Sequence, residues 1–414
     1  MGQTLQVGLG FATGRRSFQG VLRTYINDWG ESLESGHHKN VALHLLVAYD
    51  LAYNHTAAAD YAITDVDVIR ALASVKLISV SSMKREARKL VRRKVLSQEE
   101  AALLFGEGYS AKRNAILYEA VKARLDYLIF LDDDEYPLAV VRIGDRDFWT
   151  RQPVIASHIK YLSEADVTHG LHCGYVSPIP QFKWNDQFSK EDFRLFIEAI
   201  SNDILDWDSI QEILETRGVT YADLSVIQRA THAEEVPEID GAKFISGANL
   251  GLSLKSTSRV IGPFYNPPGA RGEDTFLSTC LSEHKVVKIP TYAFHDGFSR
   301  YEHVLRGVLP SALRAMPSHG PGIEDRFFKA CMGWIRYKPL LTYVINREGY
   351  EAEIDAIRAR LSATIPLLCA YFGTDRFNRI SAELEDYHCH VGEHFKEFED
   401  SKAAWAKLMA TMDD

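Results

Sequence analysis

The chain is poor in cysteine, with 5 in 414 residues. Cys173, Cys280, Cys331, Cys369 and Cys389 are dispersed and form no C-x-x-C pair. An odd, scattered set excludes a disulfide framework and reads as the reduced thiols of an intracellular protein. Long apolar runs are also missing. No window approaches about 18 consecutive apolar residues, so no membrane span is expected. The opening "MGQTLQVGLGFATG" lacks a basic region followed by a long apolar run, so no secretory leader is expected. A cytoplasmic location follows as an expectation. Basic excess is absent too, the formal net charge being -9. Nucleic-acid binding leans on basic surface, so a nucleic acid is not the expected partner. A local basic pocket for a small phosphate ligand stays open. No internal repeat or low-complexity tract stands out. What is present is ordinary for a globular protein: 46% hydrophobic and 25% charged residues, over a length that suits a large domain plus a smaller one.

Strands and helices alternate over the first 136 residues. "LQVGLGF" (5–11), "VALHLLVAYD" (41–50), "VKLISVS" (75–81) and "DYLIFLDDD" (126–134) read as strands. Helical spacing is seen over 17–29 and over 110–124, the latter with Ser110 as N-cap. Continuous apolar strands between helices predict an α/β fold, a mostly parallel sheet with helices on both faces. Ligands of such sheets bind beyond the carboxyl ends of the strands, where Asp50 and Asp132–Asp134 fall. Residues 137–240 read as a mixed helical insertion or lid. Sheet-like sequence returns at 242–254 and "KVVKIPTYAF", and the chain from about 320 reads as a helical C-terminal appendage.

Three motifs invite chemical readings and fall short. "GLGFATG" has Gly8 and Gly10 of a dinucleotide fingerprint but Thr13 in place of the third glycine, and Asp50 comes too late to follow it. His390-Val-Gly-Glu-His394 matches an H-x-x-E-H string of some zinc peptidases, yet too little chain follows for a further ligand, so a polar helix face is expected. "FLDDDEYP" could be a phosphatase nucleophile, but Tyr136 stands where Thr or Val is usual.

The remaining reading of "YLIFLDDDEYP" is a metal site. Alternate strand residues share a face, so Asp132 and Asp134 could converge on one cation. Hard oxygen ligands suit Mg²⁺ or Mn²⁺, which also take substrate phosphates. Taken alone, the run is better explained by a solvated acidic loop, because short acidic runs are common.

Four separated pieces together resemble the GT-A glycosyltransferases, most of all the inverting family 2 group. They are "GYSAKRNAILYEA", "YLIFLDDDE", "FISGANLGLSL" and "GARGEDTFLSTCL". The resemblance spans roughly residues 5–300 and leaves out the insertion and the C-terminal helices. It implies a GT-A, Rossmann-like sheet. Residues 1–136 would form the nucleotide-sugar half, 137–240 an insertion or lid near the acceptor, 241–300 the acceptor half and 301–414 a helical C-terminal region. It implies transfer of a sugar from a nucleotide-diphosphate donor, a UDP-sugar above all, to a hydroxyl of a glycan or small-molecule acceptor, with inversion. The implied metal ligands are Asp132, Asp134 and His295, holding Mn²⁺ or Mg²⁺. Thr13, Arg15, Asp50, Lys112, Arg113, Asp132 and Asp133 would bind the donor. Here "TGRRSF" replaces the family's Asn-Arg, so Arg15 or Arg16 takes that place. Gly247 and Asn249 would border sugar and acceptor. Asp274 would be the base, with Glu273 orienting the loop or the acceptor. Competing readings are a surface helix for Lys112 and Arg113, a strand cap for Asp50 and an N-cap for Asp274. The alternatives in function are a nucleotidyltransferase and a glycosyltransferase-like binding protein without activity.

Overall fold

The computed structural model describes residues 4–34, 40–201, 207–228, 232–255, 261–318 and 320–412. Its strands, in chain order, are β1 (Leu5–Thr13), β2 (Val41–Tyr49), β3 (Leu72–Ser79), β4 (Tyr127–Phe130), β5 (Glu135–Tyr136) and β6 (Leu138–Ile143). Then come β7 (Arg146–Arg151), β8 (Val167–Gly174), β9 (Glu234–Glu235), β10 (Leu250–Ser253) and β11 (Val286–His295). Nine of them make one sheet in the order β3-β2-β1-β4-β10-β8-β11-β5, with β9 beside β11, while β6 and β7 form a separate hairpin. Strands β3, β2, β1 and β4 run parallel, and β8 and β11 run parallel to each other. Strand β10 is antiparallel to both β4 and β8 and so joins the two parallel sets. The expected mostly parallel α/β sheet is therefore present.

Helices cover both faces because the central strands are apolar on both. Val7, Leu9 and Phe11 of β1 face one core with the helix Phe18–Glu34, which contributes Val21, Leu22 and Tyr25. The opposite face packs the helices Gln98–Phe105 and Tyr109–Lys122 over Leu46, Leu128 and Phe130. Each such side chain contributes roughly 1.5–3 kcal/mol through burial. Close approach explains the two glycines of "GLG". A β-carbon at Gly8 would sit 2.9 Å from Leu125, and one at Gly10 would sit 2.8 Å from Ile116. These glycines let the helix Tyr109–Lys122 lie tight on β1. That helix begins after Gly108, with Ser110 already inside it, so Ser110 is not the N-cap.

Residues 137–240 do not form one insertion. The span 138–174 supplies the hairpin, the helix Val154–Tyr161 and β8, a central strand lying between β10 and β11. The hairpin stands apart from the nine-stranded sheet, and after β8 the chain leaves that sheet until β9 pairs with β11. The helix Lys190–Ile200 packs Phe193, Phe196 and Ile197 against Phe327, Ile357 and Leu361 of the long helices Pro321–Ile345 and Tyr350–Phe372. Phe182 lies at the middle of this joint, 4.3 Å from the Phe193 ring and 5.3 Å from that of Tyr371. The last helix, Val391–Ala410, returns to the sheet layer, where Trp405 is buried and donates to the Ile261 carbonyl at 3.2 Å. The C-terminal helices are thus built into the fold and are not a loose appendage. Among the described residues, no helix is long and apolar enough to cross a membrane.

Candidate active site

The acidic run leaves β4 at the carboxyl edge of the parallel strands. Asp133 and Glu135 are buried, whereas Asp132 and Asp134 keep partial exposure. Burying like charges is costly unless each finds a partner. The fold brings a separate partner to each, from four other places in the chain.

From the end of β1, the Thr13 hydroxyl donates to the Asp133 carboxylate and accepts the Arg15 N–H at 3.1 Å. Arg15 reaches Asp133 at 3.4 Å and Asp134 at 2.8 Å. From the end of β11, His295 Nε2 lies 3.5 Å from the same Asp134 oxygen. Asp132 turns the other way, accepting from the Tyr109 hydroxyl at 3.0 Å with Arg113 at 3.6 Å. Glu135 pairs in register with His295, and its carboxylate stands 3.2 Å from His172 Nε2 of β8. Burial pushes the Asp132 carboxyl up to about 7, against the pull of Arg113. Burial likewise lifts Asp133 to about 6, opposed by Arg15 and Thr13. Burial acts on Asp134 in the same sense, but His295 and Arg15 outweigh it and hold Asp134 well below the carboxylate range. His295 shows the reciprocal balance. Burial resists its charging, yet Asp134 lifts it to about 9.

The expected metal ligands are brought together in part. Asp134 and His295 offer one oxygen and one nitrogen 3.5 Å apart, a spacing two neighbouring ligands of one cation can have. Asp132 is committed to Tyr109 and Arg113, and among the described residues no three acidic, His or Cys side chains converge as a ready metal cage. Glu135, close by on the strand paired with His295, has an Oε2 without a hydrogen-bond partner. The donor set fits a cation that leaves its remaining positions to water and phosphate.

Lys112 and Arg113 follow one another, but a helix sends adjacent residues about 100° apart. Lys112 faces the cleft and holds Asp50 at 3.1 Å. Although burial pushes the other way, that bond and the Ala52 N–H keep the Asp50 carboxyl below its ordinary range. Arg113 points inward and is 2% exposed. It stacks near Tyr109, Phe130 and Phe264, at 5.0, 5.1 and 5.3 Å from their ring centres. Its head donates to the Gly247 carbonyl and lies 3.3 Å from Glu273. No surface is left for a phosphate. The donor role expected of Arg113 is replaced by an internal one, tying three segments together.

Asp274 occupies the first turn of the short helix Glu273–Ser278 and accepts the Gly247 N–H at 2.9 Å and the Thr275 N–H at 3.0 Å. Glu273 beside it is buried and turned toward Arg113. Burial and the Asp274 charge raise its pKa, while Arg113 opposes them. Gly247 is a glycine for reasons of space: a β-carbon there would meet the Asp274 carboxylate at 3.0 Å and Arg113 at 3.2 Å. Asn249 is placed elsewhere. Its backbone is left-handed, with φ 50°, and its side chain is fully buried. Its Oδ1 accepts from His158 Nε2 at 2.8 Å, and its Nδ2 donates to the Leu171 and Thr291 carbonyls at 3.3 and 3.4 Å. It cannot border an acceptor and instead joins β8, β10 and β11.

Comparison of the chain with protein-family models and with curated proteins gives no match. The functional reading therefore rests on the residues of the site. Sequence reasoning missed Tyr109, His172, Arg271 and Arg326. His172 falls two residues from the end of a strand whose Thr/His/Gly content hides it. Arg326 carries no local signal, since only the folded chain brings it beside residue 295.

Proposed function

We propose that the chain is a metal-dependent glycosyltransferase of the GT-A type, moving a sugar from a nucleotide-diphosphate donor, a UDP-sugar above all, to an acceptor hydroxyl with inversion. The observation that carries this reading is a convergence at one sheet edge. Asp134 and His295 meet Arg15 there, with the Lys112–Asp50 pair on one side and the Gly247–Asp274 pair on the other.

In this reading the residues divide the work by their charge. Arg15 and Lys112 face the diphosphate with positive charge, and Asp50 accepts from a base N–H such as uracil presents. Asp134 and His295 would hold a Mn²⁺ or Mg²⁺, which neutralises charge on the departing diphosphate. Asp274 takes the proton of the acceptor hydroxyl as that oxygen attacks the far face of the sugar. Each carboxylate oxygen of Asp274 already accepts one backbone N–H and keeps a second lone pair for that proton. Arg113 and Glu273 hold the Gly247 turn, and so hold Asp274 in place.

Incubation with a panel of UDP-sugars and Mn²⁺ tests the reading. Slow release of UDP, through donor hydrolysis without acceptor, supports it. Pyrophosphate release from a nucleoside triphosphate would point to a nucleotidyltransferase, and binding without turnover to an inactive relative.

A further inference from the structure

Arg15 has two carboxylate partners. Arg326 and Arg271 have none in ion-pair range among the described residues. Arg326 comes from the C-terminal helix Pro321–Ile345 and lies flat on Phe298, its guanidinium carbon 4.0 Å from the ring centre. It abuts the segment just beyond β11: a β-carbon at Gly297 would meet Arg326 Nη2 at 2.8 Å and His295 Cε1 at 2.9 Å. Arg271 approaches from the loop before Glu273. Its stem packs on Gly333, 3.3 Å from where a β-carbon would stand. Gly333 is two turns beyond Arg326, so both arginines lie along one face of that helix. Burial lowers the Arg326 pKa, and the charges of Arg15 and Arg271 add to that while Asp134 opposes it. A half-buried guanidinium kept without a counter-ion is a poor stabiliser and a good receptor. Arginine presents a planar fork of donors that fits a carboxylate or phosphate.

We infer that Arg326 and Arg271 form an anion-binding point for a phosphate or carboxylate group, distinct from the Asp134–His295 pair. Arg271 lies two residues before Glu273 and on the side of Asp274, where the acceptor would attack. Resting on the function proposed above, the anion is then the acceptor's, and the acceptor is an acidic molecule such as a phosphorylated or carboxylated hydroxy compound. The donor's terminal phosphate is the other possible source of the same chemistry.

Calorimetric titration with inorganic phosphate, in buffer free of metal and nucleotide, reads the point directly. The wild type should bind phosphate, and Arg326→Ala and Arg271→Ala should each weaken it by about tenfold or more. Arg326→Lys should recover part of the loss. Titration of UDP and UMP with Mn²⁺ then assigns the source. Unchanged UDP affinity in the alanine variants assigns the anion to the acceptor, whereas loss of the preference for UDP over UMP assigns it to the donor. Arg271 is exposed in a loop, so its variant carries the test should Arg326→Ala not fold. Phosphate affinity unchanged in both alanine variants, or no phosphate binding by the wild type, overturns the inference. Because the phosphate arm needs no transfer, a failure here is told apart from a failure of the transferase reading.

Discussion

Gly272, not Asp274, is the N-cap of the helix Glu273–Ser278, so replacing Asp274 with Asn separates a general base from a carboxylate that only braces the Gly247 turn. The carboxylate accepts two backbone N–H groups, from Gly247 at 2.9 Å and from Thr275 at 3.0 Å. Asn is nearly the same size but has one acceptor oxygen, so it can keep one of these bonds and must turn an N–H₂ toward the other donor. Losing one bond to a charged acceptor in a partly buried place costs about 1.5–3 kcal/mol. That is a shift of a few degrees in melting temperature, well short of unfolding. The asparagine also cannot take a proton from the acceptor, which should lower turnover by about 10²–10⁴. Donor affinity should be unaffected, because Asp274 lies apart from Arg15, Lys112 and the Asp134–His295 pair. The assay is UDP release at saturating donor, paired with calorimetry of UDP binding and a melting curve. Turnover of Asp274→Asn within about threefold of wild type would remove Asp274 from the chemistry and leave it a brace for the Gly247 turn.

Further expectations concern the frame around the site. Arg113→Ala should destabilise the fold by about 3–5 kcal/mol, since it strands Asp132 and Glu273 in a buried setting; an unchanged melting temperature with lost donor binding would restore the direct phosphate role. Phe182→Ala should cost about 3–5 kcal/mol and expose the helix Lys190–Ile200 to proteolysis; cleavage at the wild-type rate would show that the joint to the C-terminal helices does not depend on that ring. Asp28 offers a pH test away from the site. Burial pushes its carboxyl up to about 7, against the charge of Arg151. The folded state then holds a proton that the unfolded state releases, so the stability this group contributes is lost as pH rises from about 4 to about 7 and changes no further above that. Asp28→Asn should raise the melting temperature at pH 8, with the gain fading by pH 4; a gain of equal size at both would contradict the assignment.

How far the sequence could be read followed its physics. Strands β1, β2 and β4 are continuous apolar runs, as strands buried on both faces must be, and were legible. Strand β8 is equally buried, but it reads "VTHGLHCG", with polar residues that find partners only in the fold: Thr168 with His158, and His172 with Glu135. Its place was hidden, and with it the true limit of the insertion. Clustering of Asp132–Asp134 was legible, as was the nearness of His295 to Asp134. The direction of each carboxylate was not, because that depends on Tyr109 and Arg113 arriving on a separate helix. Lys112 and Arg113 could not be told apart by type, only by which side of the helix meets the cleft. Asn249 looked available in "SGANLG", whereas its left-handed backbone turns it into the sheet.

In the proposed function, Asp134 and His295 hold a divalent cation on which donor binding depends. Calorimetry of UDP binding, with Mn²⁺ and again with chelator, reads that dependence. Tight binding is expected only with the metal, and an Asp134→Ala variant should bind weakly in both conditions. Equal UDP affinity with Mn²⁺ and with chelator in the wild type would contradict it.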